Sequence, residues 1–297
     1  MNLDLNGRTV VVTGAARGIG LATAKAAAAR GARVAVLDLR QDDADAAAAE
    51  IGDGAIGLAA DVTDRDGLAG AFAAAAAQFG AIDVVVANAG IAPRAATVQG
   101  MEPAEFDRVL AVNLHGVYNT VLAAMPHVLK SSGHLLLTSS VYAFVNGVGV
   151  SPYAVAKAGV EQLGRALRVE LAPYGATAGV VYYGFVDTRM VEVGFDEDPL
   201  ASVVTDLLPS FLTARITPEQ AGESTVRGIE RRAARTIAPA RWTGYSLLRG
   251  LVNPVLDVIT AGHRSVVELV RALDARSDAE RRRTSAAERL GVPAAAE

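Results

Sequence analysis

The chain contains no cysteine among its 297 residues. This absence excludes disulfide bonds, thiolate metal sites and cysteine nucleophiles, and it is consistent with a reducing compartment. Histidine is also scarce. The four residues, at positions 115, 127, 134 and 263, lack the spacing of a zinc site. We therefore expect no metal centre in this protein.

Long apolar runs and an excess of basic charge are missing as well. No stretch reaches the roughly 18 consecutive apolar residues of a transmembrane helix. The N-terminal residues 1–8 (MNLDLNGR) lack the apolar region of a secretory signal. A formal net charge of −4 argues against a nucleic-acid partner. We expect a cytoplasmic protein whose partners are small molecules.

Apolar residues are abundant and regularly arranged, at 51% of the chain against 20% charged. Short runs rich in Val, Leu and Ile predict buried strands at residues 8–13, 32–38, 55–60, 82–87, 133–139 and 177–183. Ala-rich stretches between them predict helices at residues 18–30, 41–50, 64–79, 102–130 and 151–173. Strands buried on both faces that alternate with crossover helices predict an α/β fold with a doubly wound parallel sheet of the Rossmann type.

The C-terminal part departs from this alternation. Residues 189–216 are apolar without a strand pattern, which favours a lid over a substrate site. We expect a main domain over residues 1–240 and a helical extension over residues 241–297, of which residues 277–297 form a frayed polar tail.

The extension is also basic. Residues 227–297 hold 13 Arg and 8 acidic residues, which gives this part a net charge of +5. One interpretation is contact with a membrane surface through a basic amphipathic helix. The favoured alternative is that these helices pack on their own domain or on a sister subunit.

A glycine-rich turn, Thr13-Gly14-Ala15-Ala16-Arg17-Gly18-Ile19-Gly20, connects the first predicted strand to the first helix. Glycines let the backbone approach a pyrophosphate, while amides at the helix start face the anion. An ordinary strand-to-helix connection is the alternative, but the flanking strand and helix favour a nucleotide site. The candidate cofactor-binding residues here are Gly14, Arg17, Gly18, Ile19 and Gly20.

Asp38 ends the second predicted strand, 24 residues after Gly14. A carboxylate at this place accepts hydrogen bonds from the adenosine ribose and repels a 2′-phosphate, so the residue favours NAD over NADP. Arg17 and Arg40 lie close enough in sequence to soften that repulsion. The alternative role for Asp38 is to cap the next helix.

Tyr153 and Lys157 lie four residues apart at the start of a predicted helix and therefore share one face. A nearby ammonium favours the phenolate and lowers the phenol pKa from its ordinary value of about 10, which makes Tyr153 a candidate general acid and base. A chance pair is the alternative. The chain holds only three Lys beside 25 Arg, so a Lys at this place points to chemistry.

Together these motifs resemble the short-chain dehydrogenase/reductase family. The turn follows the family pattern T-G-x-x-x-G-x-G, Asn88-Ala89-Gly90 follows the fourth strand, and Tyr153 stands four residues before Lys157. The resemblance covers residues 5 to about 238. It implies an oxidoreductase that moves a hydride between a nicotinamide and a secondary alcohol or ketone, and a homodimer or homotetramer joined by long helices beside the active site.

The resemblance also implies roles for single residues. Ser140 would hydrogen-bond the substrate oxygen, with Ser139 as the competing assignment, and Asn113 would hold a water that links Lys157 to solvent. The residues implied for cofactor binding are Asp61 and Val62 at the adenine, Asn88 and Gly90 in the groove, Gly184, Val186 and Thr188 at the nicotinamide, and Tyr153 and Lys157. Tyr183 replaces the proline that the family usually has before this glycine, which leaves the shape of that loop open.

The substrate side is less determined. Pro93, Val141, Phe144, Val148, Tyr182 and the segment from Met190 to Leu212 are candidate cavity walls, which favours a lipophilic ketone or alcohol. Core packing or a subunit contact is the alternative for these residues. Arg94 and Arg189 are either ligands for an acidic group or solvated surface charge. A nicotinamide-binding sensor without turnover, or a membrane-associated module, are the alternative functions.

Overall fold

The computed structural model describes residues 2–201 and 209–289. Its centre is a seven-stranded parallel sheet in the order β3-β2-β1-β4-β5-β6-β7. The strands are β1 (Thr9–Thr13), β2 (Arg33–Asp38), β3 (Ala55–Ala59), β4 (Val84–Ala87), β5 (His134–Ser140), β6 (Thr177–Tyr183) and β7 (Arg235–Ala238). The order reverses between β1 and β4, which is where ligands bind in such sheets. The predicted doubly wound fold is confirmed.

Helices cover both faces of this sheet. They are α1 (Gly18–Ala28), α2 (Gln41–Ile51), α3 (Arg65–Phe79), α4 (Pro103–Leu110), α5 (Gly116–Ser131), α6 (Ser151–Glu170), α7 (Pro218–Glu230), α8 (Thr243–Gly262) and α9 (Arg264–Arg289). Successive strand residues point to opposite faces. Accordingly Val10 and Val12 pack in one core with Ala24 of α1, whereas Val11 packs in a second core with Phe72 of α3.

Two predicted boundaries change in the structure. The single helix expected over residues 102–130 is interrupted by a π-helical turn at Ala111–His115, between α4 and α5. The strand β7 was not predicted, because Arg235-Thr236-Ile237-Ala238 is short and only Ala238 is buried. Nothing in its composition separates these four residues from a loop.

The predicted frayed tail is wrong for residues 277–289, because α9 continues through them to Arg289. Ser277 is buried against the main domain. Residues 290–297 of that tail, and Val203, Leu207 and Leu208 of the predicted lid, lie outside the described residues. Short helical turns are present at Arg189–Val191, Glu192–Asp196 and Ser210–Thr213. Val186 and Ile216 form an isolated β-bridge.

Helix α8 packs on the main domain along one side and exposes the other. Arg249 forms an ion pair with the buried Glu161 of α6, with Nη1 at 2.8 Å from Oε2. On the outer side Leu247, Leu251 and Val258 are 69%, 77% and 75% exposed. Within the described ranges no helix is both long and apolar enough to cross a membrane.

Candidate active site

The turn after β1 is tied to the end of β4. The Asn88 side-chain amide donates to the carbonyls of Thr13 and Gly14, each at 3.1 Å, and the Thr13 hydroxyl accepts from the Asn88 backbone at 3.0 Å. Gly14 has φ +62°, and a Cβ there would lie 2.7 Å from the Ala89 Cα. A Cβ on Gly20 would lie 2.7 Å from the Asn88 amide nitrogen. Only glycine fits at these two positions.

Helix α1 begins at Gly18 directly behind this turn. The residue before it, Arg17, makes no capping hydrogen bond through its side chain, and the first turn of α1 contains no acidic residue. Backbone amides at such a helix start attract an anion, since they lack partners within the helix. The glycine-lined turn and the uncapped helix start therefore fit the pyrophosphate of a dinucleotide. Ile19 packs against the core beneath the turn.

Asp38 lies at the end of β2, next to the turn. Its carboxylate accepts from the backbone amide of Ala16 at 2.9 Å and from that of Leu39 at 2.9 Å. Helix α2 begins after Arg40 without a capping side chain, so the alternative role of Asp38 as its cap is wrong. Arg40 instead faces Asp43 at 3.4 Å.

Asp61 and Val62 follow β3 along the same edge of the sheet. The Asp61 carboxylate accepts from the amide and the hydroxyl of Thr63, both at 2.8 Å. Val62 is buried, and its carbonyl accepts from the Asn119 side chain at 2.9 Å. Internal hydrogen bonds therefore fix both residues at the end of the groove where an adenine is expected.

Ser140, Tyr153 and Lys157 come together at the carboxyl end of β5. The Ser140 hydroxyl donates to the Tyr183 carbonyl at 3.2 Å and accepts from the Tyr142 backbone amide at 3.3 Å. Lys157 Nζ lies 5.4 Å from the centroid of the Tyr153 ring and donates to the Thr138 carbonyl at 3.0 Å. Neighbouring core elements thus hold all three groups.

Ser139 is directed away from this group. Its hydroxyl donates to the Lys157 backbone carbonyl at 2.8 Å, and the residue is 1% exposed. Adjacent strand residues face opposite sides of the sheet, which separates the two serines.

Burial dominates the acidity of the site. It raises the pKa of Tyr153, although the neighbouring Ser140 hydroxyl acts in the opposite direction. Burial also lowers the pKa of Lys157 to about 8. For Tyr153 the direction is opposite to the expected lowering, because removal of the phenol from water is the largest influence on its pKa.

Asn113 lies in the π-helical turn between α4 and α5 and is fully buried. Its side chain accepts from the Ile91 amide and donates to the Ile91 carbonyl, each at 2.8 Å. A Cβ on Gly90 would lie 3.2 Å from the Asn113 oxygen and 3.6 Å from Lys157 Nζ. The loop after β4 is thereby brought within reach of Lys157.

The loop after β6 carries Gly184, Val186 and Thr188. A Cβ on Gly184 would lie 2.6 Å from Trp242 Nε1, so this position also requires glycine. The Thr188 hydroxyl donates to the Val186 carbonyl at 3.3 Å, and the Thr188 methyl group lies 3.7 Å from the Cβ position of Gly18. This loop therefore adjoins the glycine-rich turn.

Tyr183 stands where a proline was expected in this loop. Its hydroxyl pairs with Thr225 of α7 at 2.5 Å, and burial raises its pKa to about 12. The end of β6 is thus anchored by the buried side chain of Tyr183 rather than by the restricted backbone of a proline.

A cavity that is partly open to solvent lies over Ser140 and Tyr153. Its lining residues are Ala92, Pro93, Ser140, Val141, Tyr142, Val150, Tyr153, Gly184, Phe185, Met190, Val191 and Gly194. Among the described residues no charged side chain lines it. The predicted walls Pro93, Val141 and Met190 lie where expected.

Not all of the predicted wall residues line the cavity. Phe144 and Tyr182 are buried in a core with Trp242, so the core alternative is correct for them. Val148 does not reach the cavity either. Tyr142 was missed, although it follows Ser140 by two residues. Its ring meets that of Tyr153 edge-on at 5.9 Å between centroids.

Arg94 and Arg189 lie outside the cavity. Arg94 pairs with Glu280 at 2.5 Å, and Arg189 pairs with Glu197 at 2.7 Å. Both arginine side chains are more than half exposed. The alternative of solvated surface charge therefore describes them.

Comparisons with known proteins agree with this geometry. The family model of the short chain dehydrogenases matches residues 8–198. Cis-4-hydroxycyclohexanecarboxylate dehydrogenase of Sinomonas cyclohexanicum is 40% identical over 187 residues, which is 62% of this chain and 75% of that protein. The 2-(R)-hydroxypropyl-CoM dehydrogenase of Xanthobacter autotrophicus is 37% identical over 209 residues, 68% of this chain and 84% of that protein.

Solved structures are also similar. A short-chain type dehydrogenase/reductase from Mycobacterium marinum has a TM-score of 0.70 at 31% identity, covering 79% of this chain and 94% of that one. The 3-ketoacyl-(acyl-carrier-protein) reductase from Brucella melitensis, complexed with NADH, has a TM-score of 0.67 at 27% identity, covering 78% and 97%.

The chain therefore belongs to the short-chain dehydrogenase/reductase family, as its motifs predicted. It is an NAD(P)-dependent oxidoreductase that acts on CH–OH groups.

Proposed function

We propose that this protein transfers a hydride between NAD(H) and a neutral, apolar secondary alcohol or ketone, with Tyr153 exchanging the proton. One observation carries the proposal: Ser140 and Tyr153 lie together in the wall of an otherwise largely apolar cavity, with Lys157 beside the Tyr153 ring. A nicotinamide supplies or accepts the hydride when it is bound.

Tyr153 is the proton donor in ketone reduction. Because burial raises its pKa, the phenol is protonated at neutral pH and can donate to the carbonyl oxygen as that oxygen gains charge. The hydroxyl of Ser140, rather than the enclosed one of Ser139, hydrogen-bonds the same oxygen. The Lys157 ammonium then stabilises the phenolate that remains. In alcohol oxidation the phenolate takes up the proton.

The residues that would hold the dinucleotide follow the edge of the sheet. The turn with Gly14, Gly18 and Gly20 would receive the pyrophosphate, Asp38 the adenosine ribose, and Asp61 with Val62 the adenine. Asn88 and Gly90 would form the groove floor. Gly184, Val186 and Thr188 would face the nicotinamide.

Asp38 carries the preference for NAD over NADP. Its carboxylate binds two backbone amides, which fix the position of the side chain at the end of β2. The variant Asp38→Asn should raise kcat/KM with NADPH relative to NADH by about tenfold, since one charge repulsion is worth on the order of 1 kcal/mol near a surface. An unchanged ratio would exclude Asp38 as the selecting residue.

The absence of charge from the described cavity wall supports a neutral substrate. A matched pair tests this: cyclohexanone against 4-oxocyclohexanecarboxylate, each followed by NADH absorbance and repeated with NADPH. We expect the neutral ketone to be reduced with the higher kcat/KM, because an unpaired carboxylate loses hydration in an apolar site. A preference for the carboxylate would refute the neutral-substrate assignment, and no turnover of any panel ketone or alcohol would refute the reaction.

A homodimer or homotetramer, a cytoplasmic location and the division into residues 1–240 and 241–297 remain predictions. Sedimentation of the purified protein tests the first of these.

A further inference from the structure

Helix α9 lies across two loops that each contribute to the cavity wall. Leu269 and Leu273 of α9 are 3% and 1% exposed, and they form one buried cluster with Ala95 and Ala201. Ala95 belongs to the loop after β4, and Ala201 to the segment after the turn at Glu192–Asp196. The C-terminal helix therefore shares an apolar core with both loops.

Arg276 connects the same two loops through polar contacts. Its Nη1 donates to both carboxylate oxygens of Asp198, at 2.8 and 2.9 Å, and its Nη2 donates to the carbonyl of Ala95. The side chains of Arg276 and Asp198 are 20% and 14% exposed. Because this ion pair is largely shielded from water, it is less screened than a surface pair.

A further contact fixes the register of α9 on the loop after β4. A Cβ on Gly100 would lie 2.6 Å from the Ser277 hydroxyl, so helix and loop are in close contact there. The Thr97 hydroxyl also donates to Asp274 on the preceding turn of the helix.

Both loops continue directly into the cavity wall. Pro93 lines the cavity two residues before Ala95, and Gly194 lines it four residues before Asp198. Leu273 also approaches Gly149, whose neighbour Val150 is a third lining residue. The distance between these walls therefore depends on the contacts that α9 makes with the two loops.

We propose that α9 is the outer support of the substrate cavity and that Arg276 is a positioning residue, which fixes the distance between the wall at Pro93 and the wall at Gly194. This inference rests on the proposed function for its substrate. Arginine suits the place because its planar fork binds a carboxylate and a carbonyl together, whereas the single ammonium of lysine is a point charge.

Steady-state kinetics on the full chain test the role. Arg276→Ala should raise KM for the best ketone of the panel about tenfold, because a small displacement of a wall misplaces the substrate. The Kd of NADH should stay within about twofold, since Arg276 contacts neither the glycine-rich turn nor Asp38. Arg276→Lys should lie between Arg276→Ala and the wild type. Arg264→Ala, at the 92% exposed first residue of α9, is the matched control and should leave both constants unchanged.

The result that would overturn the proposal is an unchanged KM, or an equal rise in KM and in the Kd of NADH. If Arg276→Ala does not fold, Asp198→Asn removes the opposite charge with little change in shape and should raise KM by about threefold, as expected for one weakened charged hydrogen bond.

Hydrogen exchange provides a test that needs no turnover. In Arg276→Ala, amides of residues 91–101 and 189–201 should exchange faster than in the wild type, and in Arg264→Ala they should not. Equal exchange in all three proteins would refute the support role even if the ketones are reduced. Faster exchange in a protein that reduces no ketone would uphold the support and refute the reaction.

Discussion

The two sides of the cavity are built in different ways. On the inner side, Ser140, Tyr153 and Lys157 are bonded to neighbouring strands and helices of the core, for example Lys157 to the Thr138 carbonyl and Ser140 to the Tyr183 carbonyl. On the outer side, the walls are held by α9 through the side chain of Arg276. The reacting groups therefore depend on the sheet, whereas the fit of a substrate depends on a helix that lies far away in the sequence.

The largest expected effect lies on the inner side. Tyr153→Phe should lower kcat by about a thousandfold, because it removes the proton-transfer group while keeping the ring that packs against Tyr142. The Kd of NADH, measured by fluorescence titration, should change less than about twofold. Tyr174→Phe, at a tyrosine that is 61% exposed, is the control. A Tyr153→Phe enzyme with normal kcat would remove Tyr153 from the mechanism.

The glycine-rich turn comes next. Gly20→Ala should weaken NADH binding by at least about a hundredfold, since its Cβ would collide with Asn88 and with the turn that is expected to receive the pyrophosphate. The matched variant Gly70→Ala lies in α3, where a Cβ meets nothing within 4 Å. It should leave binding intact and stabilise the protein by about 1 kcal/mol. Equal NADH affinity in both variants would contradict the assignment of the glycine-rich turn to pyrophosphate binding.

The inner side should also respond to pH. Lys157 has a pKa lowered to about 8, so its ammonium is lost as pH rises through that value. The kcat/KM for ketone reduction should be level below pH 8 and then fall by up to about tenfold per pH unit, because the Tyr153 phenolate loses its counter-charge. NADH binding measured over the same range separates this fall from loss of the cofactor. A pH profile of kcat/KM that stays level to pH 10 would exclude a role for the Lys157 ammonium in ketone reduction.

The smallest effect should be found at the rim of the outer side. Arg94→Ala removes an ion pair with Glu280 in which both side chains are substantially exposed, at 58% and 42%. Such pairs contribute about 0–1 kcal/mol, so KM for the ketone should change less than about threefold. A change as large as that of Arg276→Ala would show that the exposed contact at Glu280 supports the cavity wall as strongly as the shielded contact at Arg276.

The inner side of the cavity could be predicted from the sequence to a greater extent than the outer side. The strands β1 to β6 and the turn after β1 are predictable, because the strands are continuous apolar runs and the turn needs glycine at Gly14 and Gly20. The spacing of Tyr153 and Lys157 also predicts that they meet, since both lie on one helix.

Features that depend on contacts between distant residues are not predictable in this way. Residues 277–289 have the composition of a solvated tail, and they are ordered as a helix in which Arg281 reaches the Gln99 carbonyl, 182 positions away in the chain. The pKa of Tyr153 likewise depends on its burial, which the distance to Lys157 along the helix does not reveal. Phe144 has the composition of a wall residue but packs with Trp242 in the core.

The bond between Arg276 and the Ala95 carbonyl, 181 positions apart, also bears on how the enzyme is made. A ribosome adds about 5–20 residues each second, so the Rossmann sheet can assemble while the last helix is still being translated. The nascent protein can therefore form its proposed proton-transfer site before its substrate cavity is complete. Substrate selectivity is then the last property to be established during synthesis.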